Sequence, residues 1–305
     1  MNDVSDVAKN SPLIQNVEET TMTLRRREAL TGIAFLLIPL MGFMTFYIIP
    51  FLLSVYMSFR TGMGGERFAG LSNYTAILGS PAFRLAAGNT IVFMAVGAPL
   101  LIGIALLAAV LLNGIGRRQK LFQSFLMLPM VIPSASVILF FQVMFDKGGA
   151  VNRILASLNM DQLDFLYSPR VFLVVVLLYI WKNMGWNIII FLAGLAQIPK
   201  EYYEMADMDG ASAWRKMYNV TLPQLSGSFF FVFVMAIIQS FRSFREVFIL
   251  AGTYPDNSIY MLQHFMNNNF QNLNYQRLSP AAVLTTLFIL LLVAALMRFV
   301  RKAGD

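Results

Sequence analysis

Cysteine is absent from this chain, histidine occurs once, and charge is scarce. Without cysteine there is no disulfide, no thiolate metal site and no thiol nucleophile. His264 alone cannot assemble a zinc site or a Ser-His-Asp triad. Asp, Glu, Lys and Arg make up 13% of the 305 residues, where a soluble domain carries roughly a quarter. A surface so poor in charge belongs in lipid. The net charge of +7 does not indicate nucleic acid, because the Lys and Arg residues are scattered between apolar runs and form no basic face interleaved with aromatics. No G-x-x-x-x-G-K-[ST] loop occurs: the glycines from Gly62 to Gly65 lead to Glu66 and Arg67, and Gly114-Ile115-Gly116 leads to Arg117. An intramembrane enzyme lacks its chemistry here, since there is no H-E-x-x-H, no Gly-x-Ser-x-Gly and no Asp pair within the apolar runs. A channel filter sequence is missing as well.

What the chain does have is 57% hydrophobic residues, gathered into long runs. Stretches free of charge extend from Ala29 to Phe59, Leu85 to Gly116, Leu121 to Phe145, Met217 to Phe241 and Leu278 to Met297. Each is near or above the ~20 residues of a spanning helix. A sixth, from Val171 to Gly194, is interrupted only by Lys182. The expected fold is therefore all-α and integral to the membrane, with six spans at about 30–59, 86–113, 121–145, 171–194, 228–250 and 279–299. The first run starts too late and is too long for a cleaved leader. A polar cytoplasmic tail over 1–28 precedes a transmembrane domain over 29–305.

An even span number places both termini on one side, and the Lys/Arg bias says which. Lys9, Arg25, Arg26, Arg27, Arg117, Arg118, Lys120, Lys200, Arg215, Lys216, Arg298, Arg301 and Lys302 fall together, thirteen against seven on the opposite side. Both termini are thereby expected in the cytoplasm, as is the segment between spans 4 and 5.

That segment, residues 198–227, reads as helix, turn, helix, stop. Pro199 can open a short helix, Gly210 can take positive φ at its end, and Trp214, Met217 and Tyr218 recur at helical spacing. Pro223 disfavours helix at Leu222 and so separates this hairpin from span 5. An amphipathic helix lying on the inner leaflet would also suit Trp214 and Tyr218, but it requires no fixed Glu-Gly-Pro spacing.

Glu204-Met205-Ala206, then Gly210 three residues on, then Val220-Thr221-Leu222-Pro223 after nine more, resembles the signature of binding-protein-dependent ABC transporter permeases. Their pattern is Glu-Ala-Ala, three residues, Gly, nine residues, Ile-x-Leu-Pro. The resemblance implies a cytoplasmic coupling helix that docks on a separate ATPase. In that role Glu204 accepts a hydrogen bond from a partner Arg, Met205 and Met208 fill a pocket, Ala206 and Ala211 permit close approach, and Asp209 leads into the turn at Gly210.

Further segments resemble the carbohydrate-uptake branch, of maltose and glycerol-phosphate type. They are Pro50, Ser54 and Ser58-Phe59; Leu71-Ser72-Asn73-Tyr74; Asn89-Thr90; Leu128-Pro129; Trp181; and Ala193-Gly194-Leu195 with Ile198-Pro199. Ala251-Gly252-Thr253-Tyr254-Pro255 departs from the Gly-Gly-Pro turn of many relatives, which leaves the cargo subclass open between a sugar and another solute. The resemblance implies a bacterial inner-membrane importer subunit that pairs with a second, paralogous permease. Two copies of a nucleotide-binding subunit would bind the ATP and Mg, no cofactor would be held by this chain, and a sugar-binding protein would deliver cargo outside. The Asn-rich run from Met266 to Asn274 is a candidate contact for that protein or a solvated loop.

Four ionisable groups fall within the spans: Lys182, and Arg242, Arg245 and Glu246 toward the outer part of span 5. Arg242 and Glu246 stand one turn apart, where they can neutralise each other. Tyr179, Asn183, Trp186 and Asn187 share a helical stripe that sets two aromatic planes beside two carboxamides. Rings stack on the C–H faces of a pyranose while amides bond its hydroxyls. With Gln239 and Phe244 these residues form a candidate substrate path. The same stripe would equally serve as interhelical packing with Asn as the polar bond.

Overall fold

The computed structural model describes residues 28–29, 31–62 and 65–304. The tail to residue 27, with Lys9 and Arg25 to Arg27, lies outside them. The chain divides into two compact units, residues 1–57 and 58–305.

Helix α1 spans Thr31–Ser58, all but its last residue in the first unit, and exposes apolar side chains such as Phe35 and Phe46. Pro50 has no N–H to offer the carbonyl one turn back, and α1 opens into a π turn over Met44–Ile48.

The second unit begins with a small antiparallel hairpin, β1 (Arg60–Thr61) and β2 (Arg67–Phe68), followed by α2 (Ser72–Gly79). Pro81, at the first turn, starts α3, which runs 33 residues to Asn113. Then come α4 (Gln119–Val131), α5 (Ser134–Phe145), α6 (Ala150–Ser157) and α7 (Val171–Ala196). After the loop at Gln197–Pro199 stand α8 (Lys200–Met208), α9 (Ser226–Arg242), α10 (Phe244–Ala251), α11 (Leu262–Gln271) and α12 (Tyr275–Gly304).

Among the described residues, five helical stretches are long and apolar enough to cross a membrane: α1, α3, α7, α9 with α10, and Tyr275–Arg298 of α12. The third expected span is not one straight helix. Between α4 and α5 the chain bends by 94°. Pro133 disfavours helical geometry at Ile132, whose ψ is 132°, whereas Pro129 is accommodated inside α4. Contrary to expectation Leu222 is helical (φ −62°, ψ −44°), because Pro223 is accommodated in the first turn of the short helix Leu222–Gln224, and the break before span 5 falls instead at Leu225, with ψ of 3°.

In lipid the burial of apolar surface does not drive helices together, so small residues and close packing must. The core accordingly lies between α3 and α7, where Ala98, Leu101, Ala105 and Ala109 meet Val175, Tyr179, Ile188 and Phe191. A Cβ on Gly97 would come within 3.3 Å of the Tyr179 ring. On the other flank of α7, a Cβ on Gly185 would stand 2.9 Å from the Leu126 carbonyl carbon and 3.1 Å from Met127 Cα. Backbone thus touches backbone between α7 and α4, and any side chain there would part them.

Candidate functional site

The hairpin between α7 and α9 is built as its residues require. Pro199, with ψ of 139°, sets an extended entry, and α8 follows. Gly210 ends it at φ +67°, a conformation that favours glycine. The Ala211 N–H donates to Ala206 O at 2.9 Å and the Gly210 N–H to Asp207 O at 3.0 Å, closing the terminus as a Schellman motif does. Ser212 caps the returning arm, accepting from the Arg215 N–H, and Ala213–Lys216 continues through a π turn over Met217–Thr221. Two cross-ties fix the arms: Lys216 Nζ lies 2.6 Å from Asp207 Oδ1, and the Tyr203 hydroxyl is 3.0 Å from Thr221 Oγ1.

What this frame presents is apolar. Met205 and Met208 are 64% and 89% exposed. Trp214 and Tyr218 are exposed too, their rings 5.1 Å apart. Met205, Ala206, Asp209 and Ala211 line a dent of about 330 Å³ in the crook of the hairpin. Glu204 is exposed beside it, Leu222 is half-buried and Pro223 exposed at the base.

Within the spans, a cleft of about 670 Å³ opens between α7, α9, α10, α11 and α12. Its walls include Lys182, Asn183, Gln239, Arg242, Phe244, Arg245, Glu246 and Gln263. It exists because span 5 breaks at Ser243, whose N–H and hydroxyl both bond Gln239 O, at 3.0 and 3.1 Å. Glu246 does not neutralise Arg242. Instead its Oε1 accepts from Lys182 Nζ in an ion pair and from Ser134 Oγ at 2.9 Å, while Lys182 Nζ lies 2.5 Å from Ser134 Oγ. The Lys182 and Glu246 side chains are 17% and 10% exposed. Three helices meet in this triad, and the bend at Pro133 is what brings the first residue of α5 to it. Nothing in the sequence flagged Ser134 or Gln263 beyond their polarity within or beside apolar runs.

The aromatic–carboxamide stripe does not face a single space. Tyr179 is buried and donates its hydroxyl hydrogen to Ala236 O at 2.7 Å. Asn187, fully buried, donates to Asn183 O at 2.9 Å and to Gln239 Oε1 at 3.1 Å, so it bonds α7 to α9. Trp186 turns to a separate cleft of about 540 Å³ with Gly194, Gln197, Gln224 and Phe231. Only Asn183, Gln239 and Phe244 of the six line the charged cleft. Behind it sits His264, buried, its ring 4.8 Å from that of Phe244 and 5.8 Å from that of Tyr260. The Met261 N–H donates to its Nδ1 at 3.2 Å, and burial pushes the imidazole down to about 4.

A family model described as the binding-protein-dependent transport system inner membrane component matches residues 101–303. The chain belongs to this family. This permease is 34% identical over 263 residues to the arabinooligosaccharides transport system permease protein AraP of Bacillus subtilis (strain 168), covering 84% of this chain and 83% of the relative. It is 29% identical over 264 residues to the lactose transport system permease protein LacF of Rhizobium radiobacter, covering 84% and 87%. Its fold is that of a solved bacterial ABC transporter chain involved in the import of the acidic polysaccharide alginate: TM-score 0.81, 21% identity, 94% of this chain and 100% of that one. The permease is thus a multi-pass inner-membrane transport subunit.

Several short motifs of the permease now have physical roles. Asn73 Nδ2 donates to Ser58 O at 3.0 Å and Arg60 O at 2.7 Å, and the Tyr74 hydroxyl lies 2.6 Å from Ser58 Oγ, which ties α2 to the β-hairpin. Asn89 Nδ2 donates to Asn257 O and Tyr260 O, and Thr90 Oγ1 accepts from the Leu262 N–H, anchoring the entry to α11 on α3. The Asn-rich run is mostly helix rather than loop: Asn268 turns inward to donate to Thr253 O, while Phe270 and Leu273 are exposed.

Proposed function

We propose that this permease forms, with a second and paralogous permease subunit, the pathway of an ATP-driven importer for a sugar or oligosaccharide. An extracytoplasmic binding protein delivers the cargo. Two copies of a separate nucleotide-binding subunit hold ATP and Mg and perform the hydrolysis. Both termini lie in the cytoplasm, on the side of the hairpin. The sugar reading draws on the arabinooligosaccharide and lactose permeases that the chain is similar to.

The observation that carries the coupling role is the shape of the 198–227 hairpin. A two-armed frame, closed at Gly210 and cross-tied by Lys216–Asp207, holds Met205 and Met208 out as a rigid apolar knob. The frame fixes where the two methionines stand, and their soft, adaptable side chains are suited to filling a groove on a partner. Ser134 donates to Glu246 and lies beside Lys182, so the three side chains satisfy one another as a tie between helices.

The test uses cells that express the permease with its neighbouring transport genes and are offered a panel of labelled arabino- and galacto-oligosaccharides. Gly210→Val and Glu204→Lys should leave the subunit in the membrane at wild-type level, bring uptake to background and reduce the ATPase retained on tagged permease. A Cβ on Gly210 would meet nothing within 4 Å, so the first variant acts through backbone strain of about 1–2 kcal/mol rather than a clash. Wild-type uptake in both variants would show that the hairpin does not couple.

A further inference from the structure

The membrane cleft carries uncancelled charge. Lys182 and Glu246 neutralise each other, and among the described residues Glu246 is the only acid on its walls. Arg242 and Arg245 remain, both exposed and lining it, and neither side chain has a hydrogen bond or ion pair among the described residues. A guanidinium within a span is costly unless it meets water or a counter-charge, and the pair lies three residues apart, across the break at Ser243. A neutral cargo would give no return for two such groups. A guanidinium fork matches a carboxylate in geometry and charge, and a sugar hydroxyl only in part. Around the two arginines the cleft also sets Asn183, Gln239 and Gln263, amides that can donate to and accept from hydroxyls, and the Phe244 ring. Its volume of about 670 Å³ falls in the range of roughly 300–1,000 Å³ that holds small organic ligands.

We propose that this cleft binds an acidic saccharide, a short oligosaccharide of uronic acids, through Arg242 and Arg245. This deepens the sugar-importer reading and rests on it. The carboxylates bind the arginines, the carboxamides bind the hydroxyls, and Lys182–Glu246 forms the neutral floor.

The experiment takes the assembled transporter, both permease subunits with the ATPase, in lipid nanodiscs without binding protein, so that cargo selection by that protein does not enter. Affinities for digalacturonate and for the neutral galactobiose are measured by thermophoresis, and uptake of both is followed in proteoliposomes with the binding protein added. Digalacturonate should bind at least about tenfold more tightly, the weight of one charge-assisted hydrogen bond. In R242Q and R245Q that preference should fall by about threefold each, and in the double variant it should vanish. Arg→Lys at either site should keep part of it, because charge survives without the fork. Equal affinities in the wild type, or an unchanged preference in the double variant, overturn the inference while uptake of the neutral sugar leaves the sugar reading standing. Loss of the assembled complex in R242Q and R245Q would assign the arginines to subunit contacts and overturn it too. If no saccharide of either kind binds or enters, both readings fail.

Discussion

Replacing Glu246 by Gln keeps the shape of the triad and removes its charge, leaving the Lys182 ammonium with Ser134 as its only described partner. The two side chains are 17% and 10% exposed, so water can do little to compensate. Stranding one member of a buried pair costs about 3–5 kcal/mol. The Lys216–Asp207 pair on the hairpin, whose side chains are 25% and 61% exposed, belongs to the other regime, where a bridge is worth about 0–1 kcal/mol. E246Q should therefore lower the temperature at which the detergent-solubilised permease loses its monodisperse chromatographic peak by on the order of 10 °C, at roughly 2–4 °C per kcal/mol. D207N should move it by less than ~4 °C on the same scale. The double variant K182M/E246L, which removes both charges and keeps the volume, should recover most of the loss. If E246Q and D207N shift the midpoint equally, or the double variant is worse than E246Q alone, the pair is not buried as described.

Acid should destabilise the permease through His264. Its folded pKa is depressed to about 4 from 6.5, so the stability is fully present above pH 6.5 and is lost as pH falls toward 4, by up to about 3 kcal/mol. Thermal midpoints against pH should show this slope, and His264→Gln should flatten it relative to wild type. Gly185→Val should cost about 1–3 kcal/mol by forcing α4 off α7, whereas Gly227→Ala, where a Cβ meets nothing within 4 Å, should be close to neutral by the same chromatographic assay. The absence of native cysteine makes the topology testable: in intact cells Arg118→Cys should be shielded from an impermeant maleimide and Ala150→Cys should react, and the reverse pattern would invert the orientation.

The hairpin was the most legible part of the chain, because its determinants are local. The turn that ends α8 needs positive φ, which Gly210 takes without strain, and Pro199 is itself the extended residue at the helix start. The runs that become α3, α7 and α12 were legible because length and the absence of charge suffice. The third run was not. Leu121 to Phe145 contains two prolines and is apolar throughout, and only packing decides that Pro129 stays inside a helix while Pro133 turns the chain. Likewise, periodicity put Tyr179, Asn183, Trp186 and Asn187 on one stripe, yet a stripe of that width meets three environments. Which one each residue enters depends on Ala236 and Gln239, more than fifty residues away, and no local pattern carries that information. Glu246 illustrates the same limit: helical spacing offered Arg242, and the fold supplied Lys182.

The glycine contacts along α7 have a mechanical consequence. Gly97 lets the Tyr179 ring lie against α3, and Gly185 lets the α7 backbone lie on that of α4. These close contacts leave little slack, so a displacement of α8, just beyond the end of α7, would move α3, α4 and α7 together. At 1.5 Å per residue, Lys182 sits about 21 Å up that arm from Ala196. A tilt of ~5° about the lower end then carries its ammonium about 2 Å sideways, enough to part it from Glu246. If the hairpin couples as proposed, a small displacement there would reach the Lys182–Glu246 pair at the floor of the cleft as a shift of that size.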